Sequence, residues 1–384
     1  MVCIELKTLF SPKKIGNVEI KNRIVRSATE LAAADDAGYV TDEYIDMYKK
    51  LAEGGVGLII TEVTAIDEEG KIQRQKQKCL FDDSFIEGNK KLCDAVHEYS
   101  DVKIAPQLNH AGRQGPNGVA PHPYTYKVIG KEKPCRPMSA DDIQKLIKDF
   151  GSAARRAYES GYDMVQLNGG HGWLLNNFQS AYINQRTDEY GGSIEARTKV
   201  LVDIYNEIKD QAGKDFPVCI KINGQDFVEG GITFDEAEVI TKILVDTGYA
   251  AIEPSGGGGV TIFQDPSYPF VIVKSPDQEN YFLETVKRLK PVMKDVPVML
   301  MGGVRNPEIA EKLLQEGTIE FISMSRPFIY EPGLPNRWKC GDTSPAFCTS
   351  CNKCLPTSRP GPVYCPIQRK AEKRKKRLEA EGKA

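Results

Sequence analysis

The chain has 384 residues, 40% of them apolar and 27% charged, a globular balance that supports one large domain or two moderate ones. A formal net charge of -2 gives no footprint for nucleic acid or an anionic membrane. No window approaches the ~18 apolar residues of a membrane span, and the start "MVCIELKTLF" lacks a signal-peptide core, so the expectation is a cytoplasmic protein with reduced thiols.

Strand-length apolar runs follow one another at 23–28, 56–62, 103–108, 163–168, 218–223, 250–255, 296–302 and 321–325. Their continuous β-rich character suits parallel strands covered on both faces. Amphipathic helical stretches lie between them. "DDIQKLIKDFGSAARRAYESG" (141–161) has Ser139 ahead of Asp142 as a capping box, and "FDEAEVITKILVDTG" (234–248) has Thr233 with Glu236. Gly161, Gly248 and Gly317 sit where helix ends are expected. This alternation predicts an α/β fold, a (β/α)8 TIM barrel with long active-site loops over residues 1–335, with room for the eighth helix to extend past 366. A Cys-rich segment follows at 340–368, and a charged, solvated helical tail at 369–384. A doubly wound sheet is the alternative, but no GxGxxG follows any strand. The connections at 113–138 and 256–280 are long enough to be lids. The second holds Phe263, Tyr268 and Phe270, which either cover a flat ligand or pack the loop down.

In a barrel of this kind the chemistry belongs at the strand C-terminal ends. The first strand ends in Ser27, Ala28, Thr29 and Glu30, the third in Gln107, the fourth in Asn168 followed by His171 and Trp173, and the fifth carries Lys221. After the seventh strand, Gly302 and Gly303 precede a helix, and the eighth leads to Ser325 and Arg326. Glycines that admit close backbone approach, a helix start and an Arg fork make a phosphate site. Gln107 offers donor and acceptor to a uracil-like edge, and Lys221 would stabilise a ring that gains negative charge. Together these describe a flavin mononucleotide (FMN) site.

"CTSCNKCLPTSRPGPVYC" places Cys348, Cys351, Cys354 and Cys365 with the spacing C-x2-C-x2-C-x10-C. Four thiolates on one loop suit a [4Fe–4S] cluster, with zinc or no metal as the alternatives. Cys3, Cys79, Cys93, Cys135, Cys219 and Cys340 have no ligand spacing and read as ordinary thiols.

"LFSPKKIGNVEIKNRIVRSAT", "QLNHAGRQ", "HGWLLNNFQSAYINQRTDEYGGSIEAR" and "GGVRNPEIAEKLL" resemble the old yellow enzyme family of FMN-dependent oxidoreductases over about residues 8 to 368. The Cys-bearing end resembles the branch containing 2,4-dienoyl-CoA reductase and trimethylamine dehydrogenase. Those relatives carry further nucleotide-binding domains, so the chain resembles their barrel domain alone. The resemblance implies reduction of FMN by NAD(P)H, then hydride transfer from flavin N5 to the β-carbon of an α,β-unsaturated carbonyl compound. It places Gln107 and Lys221 at the flavin ring, and Gly303, Ser325 and Arg326 at the phosphate. Asn168 and His171 fall on the family's substrate-anchoring pair, and both side chains can donate to a carbonyl.

The chain departs from the family in its anchoring pair, usually His at the first position and here Asn168 then His171, at Lys221, more often Arg, and at two further positions. Trp173 stands where the family commonly has a Tyr proton donor, and indole is no useful general acid. Tyr124, Tyr126, Tyr268 or water is the candidate substitute, unless Trp173 shapes the pocket by stacking. Glu30, near a position of Cys or Thr beside the flavin, either disfavours reduced flavin or caps the following loop. Competing readings are an amine or C–H dehydrogenase passing electrons outward through the cluster, and a flavin electron-transfer module without turnover. Expected partners are a small-molecule substrate, a second copy of the chain and an external electron-transfer protein, with neither nucleic acid nor membrane.

Overall fold

The computed structural model describes residues 5–72, 76–99, 101–128, 131–258 and 269–381. Eight parallel strands form one sheet: β1 (Ile24–Arg26), β2 (Leu58–Ala65), β3 (Lys103–Asn109), β4 (Val165–Gly169), β5 (Val218–Asn223), β6 (Ala251–Ser255), β7 (Met299–Leu300) and β8 (Phe321–Met324). Their order across the sheet is β6-β5-β4-β3-β2-β1-β8-β7. The two edges meet at the Ile252–Val298 bridge, where the Ile252 N–H donates to the Pro297 carbonyl at 3.1 Å. The expected TIM barrel is therefore the fold, and all eight strand positions agree with the apolar runs. The seventh is shorter than expected, with ladder pairing only at Met299 and Leu300.

The helices follow the strands as the period change requires. They are α1 (Asp42–Glu53), α2 (Ile86–His97), α3 (Ala140–Glu159), α4 (Ile194–Ala212), α5 (Phe234–Thr247), α6 (Leu283–Leu289) and α7 (Pro307–Gln315). Both expected capping boxes form, at Ser139–Asp142 and Thr233–Glu236. Gly248 closes α5 with φ +113°, a conformation open to glycine and costly for a residue with a Cβ. After β8 the chain makes two short helices, Arg326–Tyr330 and Leu334–Lys339. The Pro366–Ala380 helix has no buried side chain, as its run of charges requires. No helix of the described residues is long and apolar enough to cross a membrane.

Strand alternation divides the barrel interior into two levels. At the N-terminal end, Val25, Leu58, Ala105, Met164, Cys219 and Phe321 form an apolar layer. The hairpin Lys13–Ile15/Val18–Ile20 closes it from below with Ile15 and Ile20, both fully buried. Above that layer the inward side chains become polar: Ser27, Gln107, Gln166, Lys221, Glu253 and Ser323 are all at most 3% exposed. Such groups are tolerated in a barrel core only when they satisfy one another. The floor beneath them is apolar, so Ile20→Ala should cost about 2–4 kcal/mol. Chemical denaturation checks this, and an unchanged midpoint would mean that the hairpin does not seal the barrel.

Candidate active site

The polar level is built around Glu253 on β6. Its Oε1 accepts from the Ser27 hydroxyl at 2.8 Å and the Ser323 hydroxyl at 2.7 Å. Its Oε2 accepts from Gln166 Nε2 at 2.9 Å and lies 3.3 Å from Lys221 Nζ. Lys221 Nζ also donates to Ser27 Oγ at 3.1 Å. Gln107 Nε2 donates to Gln166 Oε1 at 2.7 Å. Three expected site residues, Ser27, Gln107 and Lys221, thus share one network, and Ala28 packs half-buried beside the lower layer. Thr29 joins the ends of β1 and β8 through a 2.6 Å contact between its Oγ1 and Ser325 Oγ.

Asn168 and His171 stand at the end of β4. Asn168 Nδ2 donates to Asn109 Oδ1 at 3.0 Å, while Asn168 Oδ1 is buried without a partner among the described residues. His171 holds φ +57°, between Gly170 and a left-handed Gly172. Its backbone is pinned at both ends: its N–H donates to Asn223 Oδ1 and its carbonyl accepts from Gln114 Nε2, each at 3.0 Å. The loop after β6 presses on the same point, since a Cβ on Gly258 would lie 2.1 Å from the His171 carbonyl carbon. The imidazole Nε2 meets Ser255 Oγ at 2.5 Å. Burial, then the Lys221 charge, pushes the imidazole down to about 3, so it is neutral at physiological pH. Where the Ser255 hydroxyl donates to Nε2, the ring proton sits on Nδ1; in the other tautomer Nε2–H donates to Ser255 Oγ.

Trp173 is half-buried and opens the short helix Leu174–Gln179. Next to it Arg113 Nε donates to the Gly172 carbonyl at 3.4 Å. The guanidinium lies over the rings of Tyr124 and Tyr126, on the arm formed by Tyr124–Val128 and Lys131–Pro137. Burial raises Tyr126 and pushes Tyr124 up to about 12, so both phenols keep their protons at neutral pH. The sequence placed Tyr268 and Phe263 in the second lid, and these lie outside the described residues. Phe270, from the same segment, is half-buried and accepts from Asn352 Nδ2 through its carbonyl at 2.5 Å.

The residues expected at the phosphate lie against Tyr281 and the Cys-rich loop. Gly302 and Gly303 have φ +102° and +76°, and the Tyr281 ring lies so close that a Cβ on either would come within about 3 Å of it. Arg326 turns toward the Cys-rich loop. Its Nη1 donates to the carbonyls of Val271 and Ser350 at 3.3 and 3.4 Å and to Asn352 Oδ1, and its Nη2 donates to Tyr281 Oη at 3.4 Å. Tyr281 therefore bridges the glycine pair and the arginine. Glu62 caps the loop after β1, accepting from the Leu31 and Ala32 N–H groups at 2.8 and 3.2 Å. Burial raises Glu62 to about 7, and the nearby Glu30 carboxylate adds to the rise.

Cys348, Cys351, Cys354 and Cys365 line one cavity, which Arg326 and Tyr330 share. Burial raises Cys348 and pushes Cys354 up to about 11. Among the described residues no three His, Cys, Asp or Glu side chains are arranged as a metal-ligand set. The donor chemistry suits a cluster or zinc, but the present geometry does not close a ligand sphere. Of the other cysteines, Cys79, Cys93, Cys135 and Cys219 are buried and Cys340 is exposed; Cys3 lies outside the described residues.

Sequence reasoning missed Gln166, Glu253, Ser255, Ser323 and Asn109. The signal was present as polar residues two apart within apolar runs, in "VQLN" and "IEPS", the spacing that turns both members inward.

His171 generates a pH expectation. Its unfolded imidazole titrates near ~6.5 and the folded one near about 3, so protons bind preferentially to the unfolded chain as pH falls through this window. The wild type should lose more stability than His171→Asn between pH 6.5 and 4, by no more than about 1.4 kcal/mol per pH unit. Urea midpoints across that range test it, and parallel curves would contradict a neutral His171.

The sequence pattern of the NADH:flavin oxidoreductase / NADH oxidase family matches residues 8–343. An NADH oxidase of Thermoanaerobacter brockii is 35% identical over 352 residues, covering 90% of this chain and 52% of that protein. A cinnamate reductase of Clostridium sporogenes is 30% identical over 359 residues, covering 87% and 53%. The chain therefore spans about half the length of these curated relatives. Among solved structures, 2-naphthoyl-CoA reductase in complex with 2-naphthoyl-CoA superposes with a TM-score of 0.83 at 27% identity, over 91% of this chain and 55% of that one. By its sequence and its barrel, this chain belongs to the NADH:flavin oxidoreductase / NADH oxidase family, the old yellow enzyme family.

Proposed function

We propose that the chain is an FMN-dependent oxidoreductase, reduced by NAD(P)H and acting on the C=C bond of an α,β-unsaturated carbonyl compound. The observation that carries this reading is the polar upper level of the barrel, where Gln166 and Glu253 join Gln107 to Lys221, with the Asn168/His171 pair at the end of β4. The relative named cinnamate reductase supports the choice of reaction. Family membership and the ring-side residues fit FMN: Gln107 offers an amide edge and Lys221 a buried ammonium. FMN, when bound, supplies hydride transfer at its N5.

The protein's own groups do the rest. Asn168 Nδ2 keeps one N–H beyond its bond to Asn109, and neutral His171 offers Nδ1–H, so two donors face a substrate carbonyl. Their attraction for that oxygen strengthens as it gains charge, which lowers the barrier. Tyr124 supplies the α-carbon proton in place of the missing family Tyr. It stays protonated, and Arg113 anchors its lid arm beside Gly172 and Trp173. The four cysteines hold an iron–sulfur cluster in this reading, supported by their spacing and shared cavity, and no step of the reduction depends on it.

In anaerobic stopped-flow, NADH or NADPH should bleach bound FMN, and an enone should restore its colour. Asn168→Ala should slow that second phase by about 10²–10³ and leave the first nearly unchanged; an equal loss in both phases would point to a damaged flavin site. Tyr124→Phe should slow enone reoxidation alone, and a wild-type rate would return the acid to solvent. Iron and acid-labile sulfide should co-purify with the chain and vanish in Cys354→Ser, whereas zinc without sulfide would contradict the cluster.

A further inference from the structure

Glu253 is fully buried, accepts from two hydroxyls on Oε1 and one amide on Oε2, and pairs with the Lys221 ammonium beside Oε2. With no solvent exposure and its oxygens engaged this way, it acts through its neighbours rather than on a ligand directly. Two consequences follow from its being acceptor-only. Gln166 must turn its NH2 to Glu253, which points its carbonyl at Gln107 and draws the Gln107 NH2 downward. The Gln107 carbonyl is then left as the acceptor for whatever lies over the barrel mouth. The same carboxylate also stands beside Lys221 at 3.3 Å and offsets its charge.

We propose that Glu253 is the positioning residue of the ring site: through Gln166 it fixes which way the Gln107 amide faces, and by pairing with Lys221 it limits the positive field on the bound flavin. This rests on the FMN reading above. A ring held this way meets an acceptor from Gln107, matching a ring N–H, and an ammonium already half neutralised from below. The arrangement tunes the ring toward giving hydride away, because an unpaired Lys221 would favour the reduced, anionic form.

The test is the midpoint potential and FMN affinity of the purified 384-residue chain and its variants. Glu253→Gln removes the charge and keeps the shape. It should raise the potential, with reduced FMN gaining about tenfold over oxidised FMN relative to the wild type. Gln166→Met breaks the relay and spares the ion pair, so it should weaken oxidised FMN binding and shift its absorption with little change in potential. Should Glu253→Gln fail to fold, Glu253→Asp, which lengthens the ion pair, should move the potential in the same direction by less. A wild-type chain that binds FMN with unchanged potential in the folded Glu253 variant, or unchanged affinity in Gln166→Met, overturns the inference alone. A wild-type chain that binds no FMN overturns the functional reading and this inference with it.

Discussion

A charge pair sealed inside a β-barrel governs this molecule. Lys221 and Glu253 face each other across β5 and β6 with almost no solvent exposure. Removing either partner alone would strand a buried charge, at a cost of about 3–5 kcal/mol. The surrounding residues satisfy that constraint: two serines, two glutamines and the tilt of the strands bring six polar side chains to one level. Barrel interiors are ordinarily packed with branched apolar residues, and the lower level here follows that rule. The upper level departs from it where a ligand would rest.

The site is rigid for reasons that reach outward from this level. His171 adopts a backbone conformation unusual for a residue with a Cβ, and its hydrogen bonds to Asn223 and from Gln114 and the close approach of Gly258 over-determine it. The β4 end, the β5 end and the loop after β6 therefore lock one another. The β8 end is tied elsewhere. Arg326 links it to the loop after β6 and to the Cys-rich loop, and lines one cavity with the four cysteines.

Much of this was legible in the residues. The eight strands, two capping boxes and the placement of Asn168, His171, Gln107 and Lys221 at strand ends follow from periodicity and position along the chain. What escaped was pairing across strands. That Gln166 on β4 meets Glu253 on β6 depends on barrel tilt, which no local pattern contains. A carboxylate inside "AAIEPS" reads locally as one polar residue in an apolar run, and only its partners give it a role. Tyr281, far from Arg326 in the chain, likewise enters the picture only through the fold. The short β7 escaped for a related reason: "VPVMLMG" is apolar enough for a longer strand, but only Met299 and Leu300 find ladder partners.

The central claim is that the polar level is the floor of a flavin-ring site. A crystal structure of the chain with FMN tests it most directly. The account predicts the ring lying across the barrel mouth, with the Gln107 carbonyl on a ring N–H and the Lys221 ammonium beneath its pyrimidine edge. Density for FMN elsewhere, with the Lys221–Glu253 level covered by protein and untouched by the ligand, would contradict it.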